Sequence, residues 1–133
     1  MSLAGGCFCG AVRYLAGGTP FDVTHCHCRD CRRVAGAPFV TWFSVRAGEL
    51  RVDGTPVRLA SSADVERTFC GRCGTPLTWR RRGHDAIDVT AASLDDPAAV
   101  TPADHTWTGQ QLPWICLGDG LPRHERTRPA VVA

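Results

Sequence analysis

Short stretches in which apolar and polar residues alternate are spread along the whole chain, with turn-forming residues between them. The clearest covers residues 38–45, which are rich in β-branched and aromatic side chains and predict a strand. Strands this short, with turn signals roughly every 8–12 residues, are typical of an all-β domain. Further strands are predicted over residues 11–15, 21–25, 49–52, 57–60, 65–69, 77–81 and 87–91.

Little helix is expected. One helical turn is predicted over residues 31–35, where Asp30 suits the N-cap position and Gly36 suits the end of the helix. Asp95, Asp96 and Pro97 predict a turn or the start of a second short helix. Gly48, the pair at 53–54 and the pair at 61–62 predict turns between strands. The pattern therefore indicates a mainly β fold of short antiparallel strands with one or two short helical turns.

The length of 133 residues fits one domain with a modest core, and 44% hydrophobic residues is a normal globular fraction. We expect a single domain over residues 1–133, with its core at about 5–123 and a frayed tail from about Glu125. The sequence holds no apolar run of the roughly 20 residues that a spanning helix needs. Its first residues also lack the features of a secretion signal. A cytoplasmic protein without membrane contact is therefore expected.

The charge pattern gives little reason to expect a nucleic-acid partner. The formal net charge is only +2, and all fifteen basic residues are arginines. We expect the arginine run at 80–82 to form a solvated face, and the four tryptophans to belong to the core. The pattern suggests no partner for His84, His105 or His124. The oligomeric state cannot be inferred from the sequence.

Eight cysteines in a chain of this size call for an explanation, and metal ligation fits better than disulfides. A reducing compartment disfavours disulfides. In addition, Cys7 and Cys9 are one residue apart, as are Cys26 and Cys28, and bridging such pairs would strain disulfide geometry. The cysteines are therefore candidate zinc ligands.

Three of these cysteines, Cys26, Cys28 and Cys31, have the spacing C-x-C-x-x-C. Side chains two apart on an extended strand point to one face, so Cys26 and Cys28 can reach one ion. A turn at residues 29–30 would bring Cys31 to the same ion. Three thiolates leave a tetrahedral ion one ligand short, and open three-ligand sites are those at which zinc is catalytic.

Cys70 and Cys73 form a zinc-knuckle turn, C-G-x-C-G, which needs two further ligands. Cys7 and Cys9 are the preferred partners, giving a structural site of four cysteines. Spacing also permits Cys7 and Cys9 to join Cys26 and Cys28, which would leave Cys31, Cys70 and Cys73 for the other ion. In either partition the chain binds two Zn²⁺ ions. Cys116 is left over and is expected to be a small buried hydrophobic residue.

The three-thiolate site suggests chemistry on sulfur. A substrate thiol bound at the open position would stay deprotonated near neutral pH and could attack a small electrophile such as an aldehyde. Nearby arginines, Arg29 among them, could offset charge or bind a substrate carboxylate, and His25 or His27 could move a proton. Alternatively, His25, His27 or Asp30 could fill the fourth position and close the site, or the arginines could only compensate the thiolate charge.

The cysteine motifs lie in segments that resemble the glutathione-dependent formaldehyde-activating enzyme family, which also contains centromere protein V-like proteins. The resemblance runs from Gly5 to about Arg123. It is carried by residues 5–14 (GGCFCGAVRY), 26–33 (CHCRDCRR), 69–77 (FCGRCGTPL), 93–97 (SLDDP), 105–108 (HTWT) and 112–114 (LPW).

The resemblance implies a zinc-dependent β-tent fold and a division of the cysteines. It assigns the structural zinc to Cys7, Cys9, Cys70 and Cys73, and the catalytic zinc to Cys26, Cys28 and Cys31. It further implies a carbon–sulfur lyase that joins glutathione to formaldehyde, and hence a small-molecule thiol as substrate.

Two functions therefore follow from the sequence. The first is a zinc-dependent enzyme that joins a low-molecular-weight thiol to a small electrophile. Cys26, Cys28, Cys31, His27 and Arg29 are its candidate catalytic residues. The second is a non-enzymatic zinc-binding domain in which both sites are structural and the domain binds a partner.

Overall fold

The computed structural model describes residues 2–129, and within them it shows a mainly β fold with ten strands and one α-helix. The mainly β class predicted from the sequence is confirmed. The helix, α1, covers Arg29–Ala35. The strands are β1 (Ser2–Gly6), β2 (Arg13–Gly17), β3 (Phe21–Cys26), β4 (Val40–Arg46), β5 (Leu50–Asp53), β6 (Val57–Ser62), β7 (Val65–Phe69), β8 (Pro76–Arg81), β9 (Ala86–Thr90) and β10 (Asp104–Thr106).

The strands form two sheets. A small sheet has the order β1-β2-β5, and a seven-stranded sheet has the order β10-β3-β4-β9-β8-β7-β6. Neighbouring strands are antiparallel except β10, which runs parallel to β3. The strands are thus mostly antiparallel, as expected, with one parallel pair at this edge.

Two strands lie where the sequence predicted none. The Leu-Ala-Gly-Gly sequence of β1 offers weak β-propensity, and its pairing with β2 supplies the stabilisation that propensity does not. The three residues of β10 are too few to show an alternating pattern. The turn expected at residues 61–62 lies two residues later, because Ser62 still pairs with Val65.

Helix α1 begins two residues earlier than predicted, and Asp30 is not its N-cap. Cys28 is the N-cap, and its sulfur accepts a hydrogen bond from the backbone N–H of Cys31 at 3.3 Å. A thiolate-bearing side chain thus fills the position that serine or aspartate often occupies. Gly36 ends the helix as predicted, with φ of 61°, a conformation that glycine adopts without strain.

The two faces of the seven-stranded sheet have different roles. Along β4, Phe43 and Val45 point into the main core, which lies between the two sheets. The alternate residues Trp42 and Ser44 point to the other face, where the sheet forms the floor of a cavity. The alternating pattern of one strand therefore supplies both the core and a wall of the site.

The chain from Glu125 to Arg128 is held against the domain, so the expected frayed tail does not begin at Glu125. Arg128 pairs with Asp104 at 2.8 Å and with Asp22 at 2.6 Å, and Arg126 accepts a backbone hydrogen bond from Trp107. Residues 130–133 lie outside the described part of the chain. In the described residues, no helix combines the length and apolar character needed to cross a membrane.

Candidate active site

Seven of the eight cysteines lie in two groups, with the partition preferred from the sequence. The four-cysteine group contains Cys7, Cys9, Cys70 and Cys73. Its sulfur atoms lie within 4.8 Å of one another, with Cys7 to Cys9 at 3.6 Å and Cys9 to Cys70 at 3.8 Å. A tetrahedral ion with Zn–S bonds of about 2.3 Å would separate its sulfurs by about 3.8 Å. The donor set and spacing therefore fit a metal ion.

The backbone around the four-cysteine group is shaped to meet negative sulfur. Backbone N–H groups of Val12 and Arg72 donate to the sulfurs of Cys7 and Cys70 at 3.2 and 3.4 Å. Thr75 hydrogen-bonds with Cys73, and these bonds lower the pKa of Cys73 to about 5. Because Cys7 and Cys70 also belong to the main core, the group joins the start of the chain to the turn between β7 and β8.

The three-cysteine group contains Cys26, Cys28 and Cys31, whose sulfurs also lie within 4.8 Å of one another. Cys26 is the last residue of β3, Cys28 caps α1 and Cys31 lies in its first turn. Hydrogen bonds among the three thiols lower the pKa of Cys28 to about 2 and raise that of Cys26. The group therefore already favours at least one thiolate, the form that binds metal.

Within residues 2–129, no histidine or carboxylate joins this triad as a fourth candidate ligand. His25 directs its Nδ1 to the Thr41 hydroxyl at 2.7 Å. His27 directs its Nε2 to Nδ1 of His105 at 2.9 Å. The side chain of Asp30 is turned towards Arg29, 4.0 Å away. The two histidines are thus hydrogen-bonded elsewhere, and the carboxylate of Asp30 does not join the triad as a candidate ligand.

His27 does not lie where a proton shuttle would need to be. It is 0% exposed, it is not among the residues lining the cavity, and burial with the neighbouring His105 lowers its pKa to about 4. His105, for which the sequence suggested no partner, links His27 to Asp119 through a 2.7 Å bond. The hydrogen bonds from His27 to His105 and from His105 to Asp119 hold the backbone between Cys26 and Cys28 on the side away from the cavity.

A cavity of about 650 Å³ opens beside the three-cysteine group. All three cysteines line it, and Trp42, Trp79 and Trp107 supply much of its apolar wall. Arg29 lies at its edge with a largely exposed side chain, and the backbone N–H of Arg29 donates to Gln110 at 2.7 Å. The arrangement leaves room for a small molecule next to the sulfurs.

Arg67 is a charged residue of the cavity that contacts the triad, and sequence reasoning missed it. Its side chain is only 5% exposed, and one guanidinium nitrogen lies 3.9 Å from the sulfur of Cys31. Another, Nη1, is buried without a hydrogen-bond partner, and no carboxylate in the described residues pairs with Arg67. A buried cation without a carboxylate is costly, so negative sulfur is the counter-charge that the site offers it.

Asp88 is the second charged residue that sequence reasoning missed. It lines the same cavity and accepts a hydrogen bond from the Ser44 hydroxyl at 2.6 Å. Burial raises its pKa to about 6, although the bond from Ser44 opposes that shift. The alternating pattern of β9 is visible in the sequence, but only the strand order shows that Asp88 lies on the cavity face.

Two further expectations are wrong. Cys116 is exposed, not buried. Trp114 is 66% exposed and is not part of the core. Both lie in the irregular segment after residue 110, which has no strand pattern from which burial could be predicted.

The comparisons with known proteins agree with the site. The sequence model of the glutathione-dependent formaldehyde-activating enzyme family matches residues 2–110. A Halomonas elongata protein named putative glutathione-dependent formaldehyde-activating enzyme is 34% identical, over 77% of this chain and 71% of its own. A Schizosaccharomyces pombe protein named uncharacterized lyase is 32% identical, over 55% of this chain and 53% of its own.

A crystal structure of a Rhodobacter sphaeroides protein has a similar fold, with a TM-score of 0.63. It is 24% identical in sequence, and the match covers 78% of this chain and all of that one. The chain therefore belongs to the glutathione-dependent formaldehyde-activating enzyme family and is an enzyme of the carbon–sulfur lyase type.

Proposed function

We propose that the protein joins a low-molecular-weight thiol, glutathione or a similar compound, to a small electrophile such as formaldehyde. The reaction would take place at a zinc ion held by Cys26, Cys28 and Cys31. One observation supports this most directly: the triad lines a cavity and, within residues 2–129, has no fourth candidate ligand.

The residues of the site have separate roles in this proposal. Cys26, Cys28 and Cys31 hold the ion, and helix α1 keeps two of them in place through the Cys28 cap. When bound, zinc supplies a Lewis-acid position that favours a deprotonated thiol at neutral pH. Arg67 offsets the negative charge of the sulfurs from within the cavity wall. Arg29 lies at the entrance, where it can meet a substrate carboxylate.

The bond changes are those of a thiol addition. The substrate sulfur attacks the carbonyl carbon, a carbon–sulfur bond forms, and the π electrons of the carbonyl move to its oxygen. That oxygen takes up a proton equivalent to the one the thiol lost. Three thiolates donate strongly to a metal, so the site favours sulfur chemistry over activation of water.

The four-cysteine group is proposed to hold a second zinc ion with a structural role. Four thiols complete a tetrahedron without an open position. The alternative, a non-enzymatic domain with two closed sites, requires a fourth ligand on the triad, and no observation in the described residues favours it.

Exchange spectroscopy tests the proposal. Glutathione, formaldehyde and their adduct interconvert without protein, so the measured quantity is the increase in exchange rate on adding zinc-loaded protein. The expected result is faster exchange with the wild type and none of that acceleration with Cys28→Ser. Serine keeps the helix cap, so the variant removes one sulfur and little else. A wild-type protein that leaves the exchange rate unchanged would exclude this reaction.

A further inference from the structure

The cavity contains several charged side chains, and most of them already have a partner. Arg81 pairs with Asp64 at 3.6 Å, and Arg128 pairs with Asp22. In the described part of the chain, the guanidinium of Arg67 and the carboxyl of Asp88 line the cavity without an ion pair to an oppositely charged side chain. Arg67 already faces the sulfur of Cys31 at 3.9 Å, so Asp88 is the charge left for a ligand.

The sheet places these two residues in one row. Arg67 pairs with Trp79 across β7 and β8, and Trp79 pairs with Asp88 across β8 and β9. Residues directly opposite in neighbouring strands point to the same face, so all three side chains face the cavity. Two strand spacings separate the Cα atoms of Arg67 and Asp88 by about 10 Å.

One oxygen of Asp88 is free to meet a ligand. The Ser44 hydroxyl donates to Oδ1, whereas Oδ2 has no partner among the described residues. Oδ2 is not one of the polar atoms that are both fully buried and without a hydrogen-bond partner, so it keeps some exposure. It is therefore open to the cavity that Asp88 lines, beside the Trp79 indole.

We propose that Asp88 is a subsite for the protonated amine of the substrate, and that the enzyme selects thiols with a free amino group. This rests on the proposed function, in which the sulfur lies at the three-cysteine group. Arg67 touches that group, and two strand spacings separate Arg67 from Asp88. We therefore place the amine about 7–10 Å from the sulfur, two to three residues of extended chain. A small thiol peptide has this reach, and free cysteine does not.

The charges around Asp88 fit this role. Asp22 and Arg128 are the other charged groups that act on it, and they are paired with each other. A cationic amine would therefore be the principal counter-charge of Asp88 once bound. Since the pKa of Asp88 is raised to about 6, its selectivity for the amine grows as the pH rises through that value.

Titration calorimetry on zinc-loaded protein tests the subsite with two probes, glutathione and glutathione acetylated at its amino group. The probes share the thiol and both carboxylates. We expect the wild type to bind glutathione about 10- to 100-fold more tightly, the range of a hydrogen bond to a charged group. In Asp88→Asn this preference falls below about twofold. Asp64→Asn, a carboxylate of the same cavity already paired with Arg81, keeps the preference.

The outcomes separate the two proposals. Equal wild-type affinity for both probes would overturn the amine subsite while leaving thiol binding intact. Binding of neither probe would overturn glutathione as the thiol of the proposed function. A preference that survives in Asp88→Asn would show that another group recognises the amine, and would overturn the assignment to Asp88. Thermal unfolding of each variant confirms that it is folded.

Discussion

The two cysteine groups are predicted to differ in what they contribute to stability. Replacing one half-buried cysteine in each group, Cys73→Ser and Cys28→Ser, makes a matched comparison. Cys73 belongs to a group that joins segments far apart in sequence, since Cys9 and Cys70 are 61 residues apart. Cys28 belongs to a local group, and it lies three residues from Cys31.

The chain-entropy model gives the size of the difference. Closing a loop of 61 residues, the separation of Cys9 and Cys70, stabilises the folded state by about 4 kcal/mol. Closing the three-residue loop from Cys28 to Cys31 contributes less than about 2 kcal/mol on the same basis. Serine can also keep the cap of α1 in Cys28→Ser. For a chain of this size, a loss of about 4 kcal/mol lowers the Tm by roughly 15 °C.

The assay is thermal unfolding of both variants and the wild type in a zinc-buffered solution, followed by circular dichroism. We expect Cys73→Ser to unfold well below Cys28→Ser, and Cys28→Ser to remain within several degrees of the wild type. Equal losses of Tm would refute the structural and catalytic division between the groups. A larger loss in Cys28→Ser would refute it as well.

Three further predictions follow from single residues. In the zinc-loaded protein, an alkylating reagent should modify the exposed Cys116 first, and after chelation and unfolding all eight cysteines should react. Mass spectrometry identifies the labelled cysteines. Early labelling of Cys70 in the intact protein would contradict its assignment as a zinc ligand. Because the pKa of Asp88 is raised to about 6, the folded state holds its proton more tightly than the unfolded chain, so stability falls as pH rises from about 4 to 6. Asp88→Asn removes that cost of about 3 kcal/mol and should raise the Tm by roughly 10 °C near pH 7, with no gain below about pH 4. A gain that does not depend on pH would refute the explanation. Arg67→Met should weaken zinc retention by the triad about 10-fold in a chelator competition. Arg81 is a more exposed arginine of the same cavity, and Arg81→Met should leave zinc retention unchanged. Equal effects would show that zinc retention depends on general charge and not on the contact of Arg67 with Cys31.

The cysteine groups could be predicted from the sequence because their ligands are close in the chain. Cys26, Cys28 and Cys31 lie within six residues, and the knuckle at Cys70 and Cys73 is a single turn. Their geometry depends on local backbone conformation, which spacing describes well. The preference for pairing Cys7 and Cys9 with this knuckle rests on the triad being local and complete, since spacing alone also permits the other partition.

The charged residues of the cavity could not be predicted in the same way. Arg67 touches Cys31 only because the sheet brings β7 near α1, and Asp88 shares its face only through the registers of β7, β8 and β9. His105 meets His27 through a parallel pairing of a three-residue strand. These contacts depend on strand order and register, which hydrophobic alternation leaves open.

The first residue of helix α1 is another feature that the sequence pattern did not predict correctly. Asp30 matched the usual preference for an N-cap, yet Cys28 caps α1 through its sulfur. Propensity gives the common residue at a cap, whereas here the ligand set determines where the helix begins. Spacing indicated that Cys28 is a candidate zinc ligand, but it did not show that the same sulfur caps helix α1.

The central claim is that the position left open by Cys26, Cys28 and Cys31 receives a substrate thiol. Cobalt substitution tests it most directly, because sulfur-to-cobalt charge-transfer absorption grows with the number of bound thiolates. The account predicts that glutathione increases this absorption in the cobalt-loaded protein, and that S-methylglutathione does not. A spectrum that glutathione leaves unchanged would contradict the account.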